Sequence, residues 1–509
     1  MEVELKLSLA PTDVAAFRRI ALLRQFTTEH PHSDKLCSTY FDTPQFHLKR
    51  QGMELRVRRA GGEWIETLKA GGHASAGLYQ RKEWEARIEG PQPDLAALVA
   101  LVAARSKWHR VLTEPALVNG LAPIFDSVFR RTVWPLRLPQ GALVELALDQ
   151  GELRHGDVRE PISEVELELK AGDPAALFDF ALQLQGKVAL RVGNLSKSAR
   201  GYALCAPQPG SAVKARSFAL ASDVTVEQGF RTVVSNCVTQ MQDNESGVMG
   251  SNDPESVHQM RIGMRRLHSA LRLFDKWVPF PEALQGELDW LAGALGAARD
   301  ADVLADSTLV KVAEGCSKEA ELAPLREAAS TVARAKRRRA QSSVGSVRYS
   351  RMMLGVVAWL QGSRWHGSLN DSSREALAAP LDKRAAKILV QRHQKLLESA
   401  KGLKDGLPEE LHRMRIAAKN ARYAMEFFQG RHPTRRVERY IEGLTALQDA
   451  LGWLNDAAVA ERLLGQIGKT HLELAHSAGF ARGFLCGRAK QDVRELANLW
   501  AQFSAIKLP

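Results

Sequence analysis

Met1-Glu2-Val3-Glu4-Leu5-Lys6-Leu7 begins the chain with strict alternation of charged and aliphatic residues. In a β-strand this alternation places Glu2, Glu4 and Lys6 on one face and the aliphatic side chains on the other. Two carboxylates and an ammonium on one short face suit a site that holds both a metal ion and a phosphate chain. An edge strand with a solvated charged face would show the same pattern, so this stretch alone leaves both interpretations open.

The same alternation recurs through the next two hundred residues. It predicts seven more strands, each with one apolar and one charged face, at 35–41, 53–59, 63–69, 79–88, 125–134, 142–149 and 163–170. Eight such strands are compatible with a closed antiparallel barrel, which has no exposed edge. The charges sort by strand, acidic on the first and last and basic on 53–69, whereas solvated faces usually mix both signs. This sorting favours charged faces that point inward.

The period of the apolar residues changes after the barrel. A Pro/Gly/Ser-rich stretch at 207–212 predicts a linker, and beyond it the pattern stays helical to the end of the chain. We therefore predict a multidomain α+β protein. Its parts are a barrel domain with flanking helices at 1–205, a linker at 206–218 and an all-helical domain at 219–505.

The helical part contains an internal duplication. Segment 255–274 matches 409–428, with His-x-Met-Arg-Ile in register, and Leu-Gly-Ala-Ala-Arg-Asp at 295–300 matches Leu-Gly-Trp-Leu-Asn-Asp at 451–456. Such a repeat predicts two similar helical bundles related by a pseudo-twofold axis. The two copies are expected at about 219–365 and 375–505.

Composition places the chain among ordinary globular proteins. At 509 residues it is too long for a single core. Its five cysteines lack metal-ligand spacing, which indicates reduced thiols and a cytoplasmic protein. No apolar run is long enough to span a membrane, and a functional strand that begins at Glu2 leaves no room for a cleaved leader.

The net charge of +12 is unevenly distributed. From Val213 onward there are 43 Lys and Arg against 33 Asp and Glu. A basic half of this kind predicts a polyanionic partner, which charge alone leaves open among nucleic acid, a membrane surface and polyphosphate. No nucleic-acid-binding signature occurs and aromatic residues are only 6%, which argues against nucleic acid.

Several motifs of the first domain together resemble the CYTH domain of the triphosphate tunnel metalloenzymes. They are Glu2-x-Glu4-x-Lys6, Leu55-Arg56-Val57-Arg58, Thr67-Leu68-Lys69, Arg81-x-Glu83-x-Glu85 and Glu164-Val165-Glu166-Leu167-Glu168. The resemblance covers nearly all of 1–205. It implies an eight-stranded barrel whose lumen binds a linear triphosphate and divalent metal ions. Members include inorganic triphosphatases, thiamine triphosphatases and class IV adenylyl cyclases.

This resemblance assigns expected roles to charged residues of the barrel. Carboxylate oxygens suit Mg²⁺ or Mn²⁺, and the candidate metal ligands are Glu2, Glu4, Asp149, Glu164 and Glu166. Guanidinium and ammonium groups bind phosphate oxygens, and the candidates are Lys6, Arg56, Arg58, Lys69, Arg81, Arg131 and Lys197. Lys6, Glu4 and Tyr40 are the catalytic candidates at the attacking water. Glu83, Glu85 and Glu168 are expected to hold basic residues in position instead of touching metal.

The His-x-x-Arg repeat of the helical part resembles the CHAD domain, over about 219–505. Residues at steps of three and four form one stripe in each copy: His258, Arg261, Arg265, His268 and Arg272, then His412, Arg415, Lys419 and Arg422. A charge stripe is often a solvated face. Because the stripe is duplicated with histidine in register, we expect an anion site for long-chain polyphosphate. Histidines that gain charge near pH 6 would strengthen that binding. A metal site is disfavoured because arginines surround His258.

The leading hypothesis is a cytoplasmic, metal-dependent inorganic triphosphatase whose helical domain binds polyphosphate and so associates with polyphosphate granules. The fused architecture of the family implies the inorganic substrate. Thiamine triphosphatase or adenylyl cyclase activity on the same fold stays open. A non-catalytic protein that only retains polyphosphate or nucleotides is the alternative of a different class.

Overall fold

The computed structural model describes residues 2–75, 77–206, 212–221, 223–250, 253–362, 364–403, 406–428 and 435–509. The chain forms two compact units. The barrel unit comprises Met1–Pro209 together with Val347–Ser363, and the helical unit comprises Gly210–Ser346 with Arg364–Pro509. Part of the predicted linker, residues 207–211, lies outside the described residues.

The strands all belong to one antiparallel sheet. They are β1 (Glu2–Leu9), β2 (His32–Asp42), β3 (Met53–Ala60), β4 (Glu63–Ser75), β5 (Leu78–Ile88), β6 (Ala122–Arg137), β7 (Leu143–His155), β8 (Val158–Ala171) and β9 (Leu190–Val192). Around the barrel the order is β1-β5-β4-β3-β2-β6-β7-β8, and β8 pairs again with β1. The predicted eight-stranded barrel followed by helices is therefore confirmed.

The helices lie mainly after the barrel. They are α1 (Val14–Phe17), α2 (Ala21–Phe26), α3 (His47–Arg50), α4 (Leu95–Leu101), α5 (Lys107–Leu112), α6 (Pro115–Gly120), α7 (Ala175–Gln185), α8 (Lys197–Cys205), α9 (Val226–Asp243), α10 (Glu245–Gly250), α11 (Pro254–Phe274), α12 (Glu282–Val303), α13 (Leu309–Cys316), α14 (Glu319–Val344), α15 (Val347–Gln361), α16 (Asp371–Ala378), α17 (Leu381–Ser399), α18 (Pro408–Phe428), α19 (Arg435–Thr470) and α20 (Ala475–Ser504). Among the described residues, no helix combines the length and apolar character needed to cross a bilayer.

Strand β1 closes the barrel. One of its edges pairs with β8, and the other pairs first with β5, through Glu2–Leu5, and then with β9, through Leu7–Leu9. Gly77 lies where β5 gives way to β9, with φ of +77°, and the Lys6 amide donates to its carbonyl over 2.9 Å. A Cβ at this position would lie 2.6 Å from Val192 Cγ1, so only glycine fits.

The apolar core of this domain lies outside the barrel wall. On β3, Leu55 and Val57 are buried and face outward, against a layer that includes Leu98 of α4 and Leu117 of α6. The alternate residues of the same strand line the interior. Period-2 alternation therefore sends the aliphatic side chains to the helices and the charged ones to the lumen.

Several strands are longer than predicted: β7 continues to His155 and β8 begins at Val158, and β4 also extends past its predicted end. The Gly71-Gly72 pair predicts a turn after Lys69, but β4 continues to Ser75 with an irregular register between Ala70 and His73. Gly71 adopts φ of +65° there. A glycine with positive φ also suits a β-bulge, in which an extra residue is inserted without ending the strand.

Helix α15 comes from the middle of the helical sequence but belongs to the barrel unit. It contacts α7 and β9, and Met353, Leu354 and Val357 are among its fully buried residues. The end of α7 is joined to β9 by a 2.8 Å hydrogen bond from Gln185 Nε2 to the Leu190 carbonyl. The wall formed by α7 and β9 is thus covered by a helix encoded far downstream.

We predict that Leu354→Ala weakens the barrel unit specifically. Removing a fully buried leucine costs about 2–5 kcal/mol, so hydrogen exchange should accelerate in α7 and β9. Leu447→Ala, which empties an equally buried position in the α18–α19 core, is the matched control and should accelerate exchange in those helices. Faster exchange in α18 and α19 but not in α7 and β9 for Leu354→Ala would contradict the assignment of α15.

Candidate functional site

A cavity of about 250 Å³ lies inside the barrel. Its wall is almost entirely charged or polar, and Phe129 and Ala147 are the apolar residues among the described ones that line it. Each strand supplies the residues of one pleat face, which is why the wall alternates by strand. The charged faces predicted to point inward form this wall.

Three buried carboxylates form the most compact acidic group. Asp149 of β7 and Glu164 and Glu166 of β8 each offer an oxygen, and these oxygens all lie within 4.8 Å of one another. We call them the three-carboxylate group. Lys197, the first residue of α8, contacts all three, with its Nζ 2.6 Å from Asp149 Oδ2 and 2.9 Å from Glu166 Oε1. The Ser196 side chain caps α8 by accepting from the Ala199 amide.

Arg131 of β6 completes the neutralisation of this group. Its Nε and Nη2 donate to the two oxygens of Asp149 over 2.8 and 2.7 Å, and Nη2 also contacts Glu166. Burial opposes ionisation of Glu166, but Lys197, Lys6 and Arg131 outweigh it and hold the pKa of Glu166 well below its usual range. Burial also disfavours charge on Asp149, yet Lys197 and Arg131 lower its pKa.

The first strand places its charged residues beside this group. Lys6 contacts both Glu4 and Glu166. Burial, reinforced by Glu166, raises the pKa of Glu4 to about 7. Glu2 lies further along, where Lys69 Nζ donates to both of its oxygens over 2.8 Å. Of the five predicted metal ligands, Glu2 and Glu4 therefore lie outside the three-carboxylate group.

The basic wall contains one cation without a carboxylate partner. Arg81 Nη1 lies 3.0 Å from Glu54 Oε2, and Arg56 Nη2 lies 3.8 Å from Glu83. Arg58 donates only to Ser38 Oγ, over 3.1 Å, and no carboxylate of the described residues lies within 4 Å of it. Burial, with Arg56 and Arg131 nearby, lowers the pKa of Arg58 to about 9. An anion in the cavity would stabilise this guanidinium.

The remaining predicted barrel residues also meet here. Tyr40 is buried, lines the cavity and stacks on Phe125 at 4.3 Å between ring centroids. Sequence reasoning missed several residues, of which Glu54 and Arg200 make ion pairs in the site. Glu54 shares the phase of Arg56 on β3, so alternation alone would have found it. Arg200 lies one turn after Lys197 on α8 and pairs with Glu164 at 3.0 Å; the helical spacing from Lys197 is its only sequence signal.

The donor set of the three-carboxylate group fits a hard divalent cation. Carboxylate oxygens are the ligands that Mg²⁺ and Mn²⁺ prefer, and three of them converge here in a buried position. Lys197 and Arg131 supply the positive charge that balances them in this structure. A bound cation would take over part of that role.

In the helical unit the two duplicated stripes meet. Arg261 and Arg265 of α11 and Arg415 and Lys419 of α18 lie close together, and burial with the neighbouring cations lowers the pKa of Arg261, Arg415 and Lys419. We call them the four-cation cluster. Two acidic residues partly offset the positive charge of the cluster. Arg261 Nη2 lies 3.5 Å from Asp300. Asp456, the equivalent of Asp300 in the second copy, favours the charged forms of Arg415 and Lys419.

Lys419 is the lysine of the four-cation cluster, and its pKa is strongly lowered. Burial, with Arg265, Arg415 and Arg261, lowers the pKa of Lys419 to about 6. No carboxylate of the described residues lies within 4 Å of its Nζ. The amine therefore loses its proton at a lower pH than an ordinary lysine does.

The other stripe residues are not part of the four-cation cluster, and some have partners of their own. His268 contacts Gln285 and Asp289, Arg422 pairs with Glu426 at 2.6 Å, and Arg272 and His412 are exposed. Burial and Arg299 lower the pKa of His258 to about 4. In the free protein this histidine therefore does not gain charge near pH 6, chiefly because it is buried and also because Arg299 lies nearby.

Comparison with known proteins also separates an N-terminal from a C-terminal part, and the C-terminal match includes α15. The family model of the CYTH domain matches residues 1–202 and that of the CHAD domain matches 232–465. An inorganic triphosphatase of Haemophilus influenzae is 35% identical over 208 residues, which cover 41% of this chain and only 56% of that relative. An uncharacterised protein of Mycobacterium tuberculosis is 28% identical over 456 residues, covering 83% of this chain and 81% of its own length.

A solved structure matches the helical part. The crystal structure of the CHAD domain from the plant Ricinus communis shares 35% sequence identity with this chain and has a TM-score of 0.53. The match covers 59% of this chain and 98% of that one.

We predict that Lys197→Met destabilises the barrel and makes it depend on metal. The substitution leaves the three-carboxylate group short of a buried cation, which costs about 3–5 kcal/mol. Mg²⁺ or Mn²⁺ should therefore raise the melting temperature of the variant more than that of the unaltered protein. Arg87→Met is the control, because Arg87 and Glu63 form an exposed pair worth at most about 1 kcal/mol. An equal response to metal in Lys197→Met and the unaltered protein would contradict a cation site here.

Proposed function

Because this chain belongs to the proteins that join a CYTH domain to a CHAD domain, we propose that it is a metal-dependent inorganic triphosphatase whose helical unit binds long-chain polyphosphate. The observation that supports hydrolysis most strongly is the division of the cavity. Glu166, one of the three buried carboxylates, lines it on β8, and Arg58, which has no carboxylate of the described residues within 4 Å, lines it on β3. A triphosphate needs both, since its charge must be matched by cations and by metal.

The basic residues bind and orient the substrate in this proposal. Arg56, Arg58 and Arg81 come from β3 and β5, and they suit a phosphate chain because guanidinium groups match phosphate oxygens in pairs. Lys69 and Lys197 act as point charges. The acidic partners that now hold these side chains, such as Glu54 and Glu83, keep them extended into the cavity.

In this proposal the carboxylates bind the metal ion, and one of them, Glu4, accepts a proton. A Mg²⁺ or Mn²⁺ ion held by Asp149, Glu164 and Glu166 would neutralise phosphate charge and supply an activated water. Glu2 and Glu4 remain candidates for a second ion. Glu4, with its raised pKa, is also suited to accept a proton while Lys6 and Tyr40 orient the water. The water oxygen attacks the terminal phosphorus, the bridging P–O bond breaks, and diphosphate and phosphate leave.

The inorganic substrate is favoured by two observations. The cavity offers little apolar surface to a base or a thiamine ring, and the triphosphatase relative is 35% identical over this domain. Thiamine triphosphate and ATP are the competing substrates. A purely anion-retaining protein is the competing class, and turnover separates it from the enzyme.

Hydrolysis is tested by phosphate release from tripolyphosphate, thiamine triphosphate and ATP, each with Mg²⁺, with Mn²⁺ and with excess chelator. We expect tripolyphosphate to be the preferred substrate and the chelator to abolish release. Glu4→Gln should lower kcat by about 10²–10⁴-fold, the usual share of one acid–base group, with an unchanged circular dichroism spectrum. Glu63→Gln, at an exposed position that does not line the cavity, is the control and should keep full activity. Full activity in chelator, or in Glu4→Gln, would refute this mechanism.

Polyphosphate binding is supported by the four-cation cluster. Both copies of the repeat contribute two cations each, so the positive potential is concentrated where α11 and α18 meet. A solvated charged face would not bury arginines beside one another at this cost. A flexible polyanion offers several phosphates at the spacing of neighbouring side chains.

We predict that Arg261→Ala combined with Arg415→Ala weakens polyphosphate binding. Loss of two phosphate contacts should reduce the slope of log affinity against log salt by about 2. The control changes Lys383 and Lys387, both exposed on α17, to alanine. Titration of labelled polyphosphate with the full-length protein at two or more salt concentrations gives the slopes. An unaltered affinity and slope in the arginine variant would move the binding surface elsewhere.

We also predict that polyphosphate binding takes up a proton through Lys419. In the free protein its pKa is about 6, whereas a bound polyanion raises it, so binding strengthens as pH falls toward 6 and levels off below it. The groups that face the amine are Arg261, Arg265, Arg415 and Asp456. Calorimetry in buffers of different ionisation enthalpy measures the uptake, which Lys419→Arg should remove and Lys383→Arg should not. Unchanged uptake in Lys419→Arg would assign the proton to another group.

A further inference from the structure

A second cavity, of about 1280 Å³, lies within the helical unit between α18, α19 and α20. We call it the α18–α20 groove. Its floor is aliphatic, and the side chains that form it are Leu411, Leu451, Leu454, Leu485, Ala489 and Val493. Its rim is mainly basic and includes Arg413, Arg462, Lys490 and Arg494.

The duplication shows what the corresponding place contains in the first copy. A shift of 156 residues takes Leu295 to Leu451, and it takes Glu319, where α14 begins, to Ala475, where α20 begins. By the same shift, Ala458 and Val493 of the groove correspond to Asp302 and Arg337.

The first copy fills this place with polar groups and a short helix. Arg337 Nε lies 3.2 Å from Asp302 Oδ1, and Asp302 is only 1% exposed. Helix α10 contacts both α11 and α14 and buries Val248. In the second copy the pair is replaced by alanine and valine, and the place is open and apolar.

The groove ends at a cation of the four-cation cluster. Arg415 lines the groove; its Nη1 donates to Asn455 Oδ1 over 3.1 Å, and its Nε is buried without a hydrogen-bond partner. A buried guanidinium nitrogen without a partner favours an acceptor at that end. Polyphosphate would satisfy the arginine but has no apolar part to cover the leucines.

We propose that the α18–α20 groove binds a single-chain anionic amphiphile, with its alkyl chain on the aliphatic floor and its phosphate or carboxylate head at Arg415. The basic rim complements the charge of such a molecule, and a concave cleft between helices suits a free molecule better than a flat membrane surface. This site is separate from the triphosphate cavity and does not depend on the proposed functions above. If polyphosphate also uses Arg415, the two ligands compete.

The test uses the full-length protein and hexyl, octyl and decyl phosphate below their micellar concentrations, with inorganic phosphate as the headgroup control. Burial of the chain predicts that affinity rises about fourfold for each added methylene. Ala458→Asp combined with Val493→Arg installs the polar pair of the first copy and should abolish this dependence. Ala458→Val combined with Val493→Ala keeps the floor apolar and should preserve it. An unchanged circular dichroism spectrum and an unchanged melting temperature report that each variant is folded.

A second measurement needs no variant. Cys486 lines the groove, and Cys37 on β2 is also exposed. Decyl phosphate should slow alkylation of Cys486 while leaving Cys37 unaffected. Affinity independent of chain length, undiminished affinity in the polar variant, or equal alkylation of Cys486 with and without ligand would each overturn the proposal. Binding to anionic lipid vesicles but not to monomeric decyl phosphate would overturn it in favour of a membrane surface.

Discussion

The pairing of buried charges inside a closed barrel is the constraint on which the rest of the barrel unit depends. Lys197 and Arg131 balance Asp149, Glu164 and Glu166 at distances that allow little rearrangement. Because charged side chains line the lumen, the lumen cannot serve as a hydrophobic core. The aliphatic faces must therefore be buried on the outside, and helices must cover them. The same charges that prepare a site for phosphate and metal thus explain why the barrel carries an outer helical layer.

Sequence reasoning succeeded where one physical signal dominated. Strict alternation specified which residues share a pleat face, and the sorting of charge by strand indicated the inward direction for Glu4 and Arg58. It could not specify neighbours across strands, because register is set by the whole sheet. Alternation gives Glu54 the phase of Arg56, but it could not predict that Glu54 pairs with Arg81 of β5. The turn predicted from the Gly71-Gly72 pair is wrong because a glycine with positive φ is compatible with a β-bulge as well as with a turn.

The helical unit illustrates how duplication creates both symmetry and difference. Basic residues spaced three and four positions apart predicted one stripe on a helix of each copy. The structure brings four residues of these stripes together: Arg261, Arg265, Arg415 and Lys419. Periodicity could not predict that burial lowers the pKa of Lys419, which belongs to the cluster, and of His258, which lies near it. It also could not separate the copies, in which Asp302 and Arg337 correspond to Ala458 and Val493. Once duplicated, one copy was free to change its interior.

Helix α15 gives the barrel unit a discontinuous sequence, and this affects its synthesis. The first segment of the barrel unit ends at about residue 209, but the helix that covers α7 and β9 ends only at Gln361. At ~5–20 residues per second, a ribosome needs roughly 8–30 seconds to make the intervening segment. During that interval the parts of α7 and β9 that α15 contacts in the folded protein lack their cover. The order of translation thus makes the downstream helices partners in completing the upstream domain.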